Sequence, residues 1–275
     1  MARSFAAAWA GWMIAAGLAL TGCDKGQPQT NQAQPPNAST PVLGSSNSAQ
    51  SIPLPSPPLD REALLIAAAR AASAYASGSD DSEAQSELAG RQFTFRIRFG
   101  CSGPDSDPAQ RAMSWTYDQP AERMKVRASP DISMDLPVAK ALAAGRFEDV
   151  RGFWVPRSWL LTPSCPRGGS AEMQNSPPPS VGIAQFFTSS DSRASRRPGR
   201  ALETVQRVAP DAVPGPDGLD LVLTGRLQPL GGGKVIHCSS TTPAERPVCI
   251  LSVEFSSISI QDPRSGSSLA EWAIS

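Results

Sequence analysis

A single histidine, five cysteines and scattered carboxylates bound the chemistry this chain can perform. His237 is the only imidazole, so His-clustered metal sites within one chain are excluded and at most one His-based catalyst remains. A catalytic triad would need a nucleophile and an orienting acid around it. Neither G-x-S-x-G nor S-x-x-K occurs. No C-x-x-C is present either, which weakens a zinc reading of the cysteines. Gly231-Gly232-Gly233-Lys234 lacks the earlier glycine of a phosphate loop and has Val235 where Ser or Thr is needed, so it reads as a hairpin turn. Asp105 and Asp107 offer carboxylates for glycoside cleavage, as any acid-rich stretch does. Asp80, Asp81, Glu83 and Glu87 lack the D-x-D-x-D-G spacing of a calcium loop and read as a solvated acidic loop.

Two features point to binding. Phe153, Trp154 and Trp159 bracket Pro156 and Arg157. Exposed, such rings stack on sugars or anchor a partner; their apolar neighbours favour a core role. Arg193, Arg196, Arg197 and Arg200 crowd one loop. That cluster suits phosphate head groups or an acidic partner surface, with a solvated loop as the equal alternative. Lys plus Arg is 25 and Asp plus Glu is 25. A net charge of zero argues against a nucleic-acid binder held by bulk charge. No residue set implies a cofactor or a metal.

The N-terminus has the layout of a secretory signal: Arg3, an apolar run from Phe5 to Leu20, then small residues. The run is at the short edge for a spanning helix, which leaves an uncleaved anchor as the lesser alternative. At its end stands Leu20-Thr21-Gly22-Cys23, which resembles the lipobox of bacterial lipoproteins. The resemblance covers only these first residues. It implies that Cys23 is lipidated, that residues 1–22 are removed as the signal, and that the chain is anchored to a bacterial membrane facing the periplasm. Each buried CH₂ contributes about 0.8 kcal/mol, so two or three acyl chains give a stable anchor. Asp24 tilts the location toward the inner membrane. With Cys23 set aside, Cys101, Cys165, Cys238 and Cys249 remain, an even number in an exported chain. Three pairings are open. Predicted neighbouring strands favour Cys238 with Cys249, leaving Cys101 with Cys165.

From residue 23 to 58 the chain is rich in proline, with only Asp24 and Lys25 charged, and shows no apolar periodicity. It reads as a Pro-rich tether. Residues 59–275 read as one mainly-β domain with a helical start, an antiparallel sheet or sandwich, with α+β as the alternative. Leu59 to Ser77 is a predicted helix capped by Asp60, with Leu64, Leu65, Ala68, Ala72 and Tyr75 as its apolar stripe. Gln92 to Phe99 alternates strictly and is the clearest strand. Met113–Asp118 and Arg123–Ala128 read as a hairpin, and Leu136–Ala144 as a short helix. Strands are expected at 153–155, 159–161, 181–188, 219–227, 234–238, 248–260 and 269–274, while 201–208 is ambiguous. The expected function is a non-catalytic binding or interaction role in the envelope, toward an envelope protein or an anionic ligand. The alternative is a hydrolase acting on an envelope polymer through carboxylates.

Overall fold

The strictly alternating run predicted from Gln92 forms β1 (Gln92–Phe99), in which Phe93, Phe95, Ile97 and Phe99 are buried and the residues between them are not. This placement comes from a computed structural model, which describes residues 56–143, 146–166, 178–191 and 199–274. The chain is mainly β, with two sheets and few helices.

The larger sheet is organised on β9 (Val248–Gln261), a 14-residue strand. Antiparallel to it lie β7 (Leu219–Leu227) and β8 (Ile236–Ser239), and β1 pairs in turn with β7. β7 and β8 share one edge of β9. Ser252 links them: its carbonyl accepts from Gln228 N–H, and its own N–H donates to Val235. Gly231-Gly232-Gly233-Lys234 lies between them as a tight turn, closed by an antiparallel bridge between Leu230 and Lys234, but β7 and β8 each pair with β9 and not with each other. On the other side, β5 (Val181–Phe187) pairs with β9 and with β4 (Asp149–Trp154), and β10 (Ser268–Ala273) completes the sheet against β9.

The β5–β9 pairing is parallel, so the sheet is mixed rather than the antiparallel one expected. The reason lies in β5 itself, which is apolar nearly throughout and covered on both faces. Strands of that kind suit the interior of a sheet whose two faces are both packed. The smaller sheet is antiparallel: β2 (Met113–Asp118), β3 (Arg123–Ala128) and β6 (Leu202–Arg207). β6 resolves the ambiguous segment as a strand, half exposed in alternation.

The main core lies between the sheets and under α1 (Arg61–Ser77). Phe93, Phe95 and Ile97 meet Trp115, Met124 and Val126 from the small sheet, and Leu64, Leu65 and Ala68 from the helix. A second core occupies the opposite face of the β4–β5–β9 region. There α3 (Pro137–Ala143) sets Val138, Ala139 and Leu142 against Val150, Ala184, Phe186 and Ile250. The alternation along β9 feeds both: Cys249 and Leu251 point to the first core and Ile250 to the second.

Open strand edges invite pairing with other chains, and here three are capped. Leu59 pairs with β1 through Gln92 and Thr94. Asp105 exchanges bonds with Trp115 on β2, its N–H donating to the carbonyl at 2.8 Å and its carboxylate accepting from the N–H at 3.2 Å. Asp131 does the same for β4, donating to Gly152 and accepting from Trp154 N–H.

Arg61 extends the cover of β1. Its guanidinium donates to the carbonyls of Arg96, Pro156, Arg157 and Leu160 and lies 5.2 Å from the Phe95 ring centroid. Burial, then the neighbouring charge of Arg157, pushes its pKa down to about 10, so it stays charged. This explains why 156–159 is a turn and 159–161 is not the strand expected. Pro156 lacks an N–H, Arg157 takes a left-handed φ of 51°, and the carbonyls of the turn are directed at Arg61.

Candidate functional site

The C-terminal end of α1 opens onto a cleft of about 480 Å³, within the usual range for ligand sites. Gly78, at φ 68°, ends α1 by letting its own N–H and that of Ser79 turn back onto Tyr75 and Ala74. The chain then reverses into α2 (Ser82–Ser86). The acidic stretch expected to be a solvated loop is thus in part a helix docked on the sheet.

Gln85 does the docking. Its amide oxygen accepts from Val235 and Ile236 N–H at 3.0 and 2.8 Å, and its amide nitrogen donates to Ile236 C=O and to Asp81. One buried side chain thereby supplies the edge bonds that a further strand would make at the start of β8. Asp81 also accepts from Lys234 Nζ at 2.6 Å. Burial raises the pKa of Asp81, but the bonds from Lys234 and Gln85 outweigh it, and its carboxyl stays below the ordinary range.

His237 stands on β8 at the cleft wall, beside Lys234 and Cys238. Burial lowers its pKa to about 4, with the Lys234 charge adding to the effect and a backbone hydrogen bond to Lys234 opposing it. The imidazole is neutral at pH 7. Its Nε2 is buried without a partner among the described residues. The remaining wall comes from α3 and the residue beyond it: Val138, Ala141, Leu142 and Arg146. Tyr75, expected in the core stripe of α1, is instead 47% exposed and faces this cleft.

The depressed His237 pKa carries a stability prediction. Below pH about 6.5 the unfolded chain takes up a proton at this residue; the folded chain does so only near pH 4. Stability is therefore present above the unfolded value and lost as pH falls through this window. Asp81, also depressed, adds to the acid loss, whereas Asp131, raised by burial, opposes it. Comparison with His237→Gln isolates the imidazole. Between pH 7 and 4 the wild type should lose on the order of 2–3 kcal/mol more than the variant in urea unfolding. Parallel losses in the two proteins would show that His237 does not titrate as described.

The other candidate residues scatter. Phe153 is fully buried in the main core, against Phe255. Trp154 points to the opposite face and packs partly buried on the second core. Trp159 is 53% exposed on the turn after Pro156. The three rings therefore do not form one aromatic platform. Arg200 is exposed just before β6; Arg193, Arg196 and Arg197 lie outside the described residues, as do Cys23 and Asp24. Asp105 caps β2 and pairs with Arg111, and Asp107 accepts from Gln110, so both are engaged in local structure. The disulfides are Cys101–Cys165 and Cys238–Cys249. Among the described residues no cluster of His, Cys, Asp and Glu could hold a metal ion.

Sequence reasoning missed Gln85, Arg146 and the Lys234–Asp81 pair as site residues. The only available signal was a cation directly after the glycine run. No protein-family model, no curated protein and no solved structure matches this chain.

Proposed function

We propose that this protein is a lipid-anchored component of a bacterial envelope with a non-catalytic binding role, held on the Pro-rich tether on the periplasmic side and presenting the cleft at the end of α1. The observation that carries the binding reading is the engagement of Asp81, Lys234 and His237 in the cleft wall. Asp81 is bound to both Lys234 and Gln85, and His237 is neutral and fixed by its backbone bond. Polar groups locked in place before a ligand arrives suit recognition, because little ordering is left to occur on binding. The lipobox resemblance of Leu20-Thr21-Gly22-Cys23 supports the anchor, and paired cysteines suit an oxidising compartment.

The anchor is tested by fractionating cells expressing the full chain. The wild type should sediment with membranes and incorporate labelled palmitate, whereas Cys23→Ala should do neither. Equal palmitate incorporation by both would overturn the assignment of Cys23. The binding role is tested by capturing the protein from gently solubilised membranes beside a Lys234→Glu variant. A stoichiometric partner or ligand lost in the variant supports it. Turnover of an envelope polymer that disappears in Asp81→Asn would replace it with a hydrolase.

A further inference from the structure

Away from the cleft, the smaller sheet leaves one strand edge open. β6 pairs with β3 alone. Val208 N–H donates to Glu122 C=O, one step beyond the pair of Arg123 with Arg207 that ends this ladder. Bonded and non-bonded pairs alternate in an antiparallel ladder. The backbone groups directed at β3 are therefore those of Leu202, Thr204 and Gln206. The N–H and C=O groups of Glu203, Val205 and Arg207 face away from the sheet, and among the described residues none of them has a hydrogen-bond partner. Gln206 donates to the Leu269 carbonyl of β10, which fixes β6 from its inner face.

The side chains of the same three residues lie on the outer face, away from the buried row of Met124, Val126 and Ala128. Val205 is 58% exposed, with no apolar cover. Glu203 accepts from Lys125 and Arg127 at 2.9 and 3.3 Å. Arg207 stands directly opposite Arg123, and like charges so placed destabilise a sheet. Its ion pair with Glu122 is long, at 3.8 Å, and its side chain is 82% exposed. This edge lacks backbone partners, a cover for Val205 and a closer carboxylate for Arg207.

A second copy of β6 supplies all three. Antiparallel pairing about a two-fold axis at Val205 sets Val205 against Val205 of the second copy. It also sets Glu203 opposite Arg207 of the second copy, and the reverse by symmetry. Every residue with outward backbone groups then falls in a bonded pair, and each such pair exchanges two hydrogen bonds. The neighbouring registers with bonded pairing oppose Val205 to Glu203 or to Arg207. The next ones oppose Glu203 or Arg207 to itself. Only the register centred on Val205 joins the apolar residues and both charge pairs.

We infer that β6 is a self-pairing edge, on which two copies of the chain join antiparallel at Val205 so that their β2-β3-β6 sheets become one continuous sheet.

Sedimentation of the detergent-solubilised full chain tests it, in a concentration series to about 100 μM because a single strand pair is smaller than a standard interface. A dimer is expected. Arg207→Glu and Glu203→Arg each place like charges opposite one another in both halves of the pair. Each should raise the dissociation constant at least about tenfold. Arg207→Glu should leave the thermal midpoint of the dilute protein unchanged. An equimolar mixture of the two variants should regain the dimer, since each reversed residue then faces its complement. Glu203→Arg also loses the bonds to Lys125 and Arg127, so cross-linking gives a second measurement should that variant not fold. Under oxidation Val205→Cys should link to its own copy, because bonded antiparallel residues have Cα atoms about 5.5 Å apart, within disulfide reach. Lys125→Cys stands three strand spacings from its copy, roughly 14 Å, and should not link. The wild type beside them reports any link through Cys23. A wild type that stays monomeric, a dimer indifferent to both reversals, or equal cross-linking of the two cysteine variants overturns the inference. Cross-linking of Val205→Cys to a different protein in intact cells, with no self-linked product, also overturns it and gives the edge to a strand of that protein.

Discussion

Gly225→Ala should destabilise the protein by about 3 kcal/mol or more, a large share of a typical stability of about 5–15 kcal/mol. A Cβ at this position would stand 2.0 Å from the carbonyl oxygen of Glu254 and 3.0 Å from Phe255 Cα. These obstacles are backbone atoms, so no side chain can swing aside. They belong to β9, the strand on which β5, β7, β8 and β10 are all paired, and any retreat would disturb several ladders. The register between β7 and β9 slips by one residue next to Gly225, a bulge that presses the two backbones together there. Gly232→Ala is the control. It has a φ of 75°, yet no atom lies within 4 Å of the added carbon, so only the backbone strain of about 1 kcal/mol should appear. Urea unfolding of both variants checks the ordering. A Gly225→Ala protein within about 0.5 kcal/mol of wild type would mean that the approach of the two strands is looser than described.

Part of this architecture is readable residue by residue. The alternation of Phe93, Phe95, Ile97 and Phe99 is a local pattern and placed β1 with its buried face. Met113–Asp118 and Arg123–Ala128 were delimited by the Pro-containing turn between them, and both are strands with those limits. The helix from Asp60, its cap included, followed from Ala, Leu and Arg content. What escaped depends on distant partners. A continuous apolar run such as Val181–Phe187 says that both faces are covered but not in which direction its neighbour runs. The turn at 156–160 is set by Arg61, 99 residues before Leu160. The cleft shows the same limit. Gln85 sits in an acidic stretch where nothing local marks it as a clamp for residues 150 positions away, and Asp81 finds Lys234 at a separation of 153. Tyr75 fitted the apolar stripe of α1 by spacing, but the helix ends where the sheet no longer covers it, so the ring is left facing the cleft.

Removal of the Cys101–Cys165 disulfide should cost about 4 kcal/mol, and removal of Cys238–Cys249 about 3 kcal/mol, the order following the loop each one closes. The separations are 64 and 11 residues. The longer link also has the greater structural reach. It joins the end of β1 to the segment that follows the Arg61-bound turn, and Cys165 Sγ lies 3.2 Å from the Asp217 carbonyl that also accepts from Arg98 at 2.9 Å. Arg98 in turn pairs in a fork with the buried Asp220, at 2.6 and 3.2 Å. Loss of the disulfide therefore loosens a segment whose neighbours hold a buried charge pair, and breaking such a pair is itself costly. The Cys238–Cys249 link lies across two strands already bonded to each other, so less order depends on it. Against a typical total stability of about 5–15 kcal/mol, the two losses together remove about half of the margin or more. The paired variants Cys101→Ala/Cys165→Ala and Cys238→Ala/Cys249→Ala, measured by urea unfolding, should be destabilised in that order. The reduced wild type should unfold at a lower urea concentration than either. If it instead keeps the midpoint of the oxidised protein, the folded state does not need these links, and the argument that the chain is built for an oxidising compartment loses its physical basis.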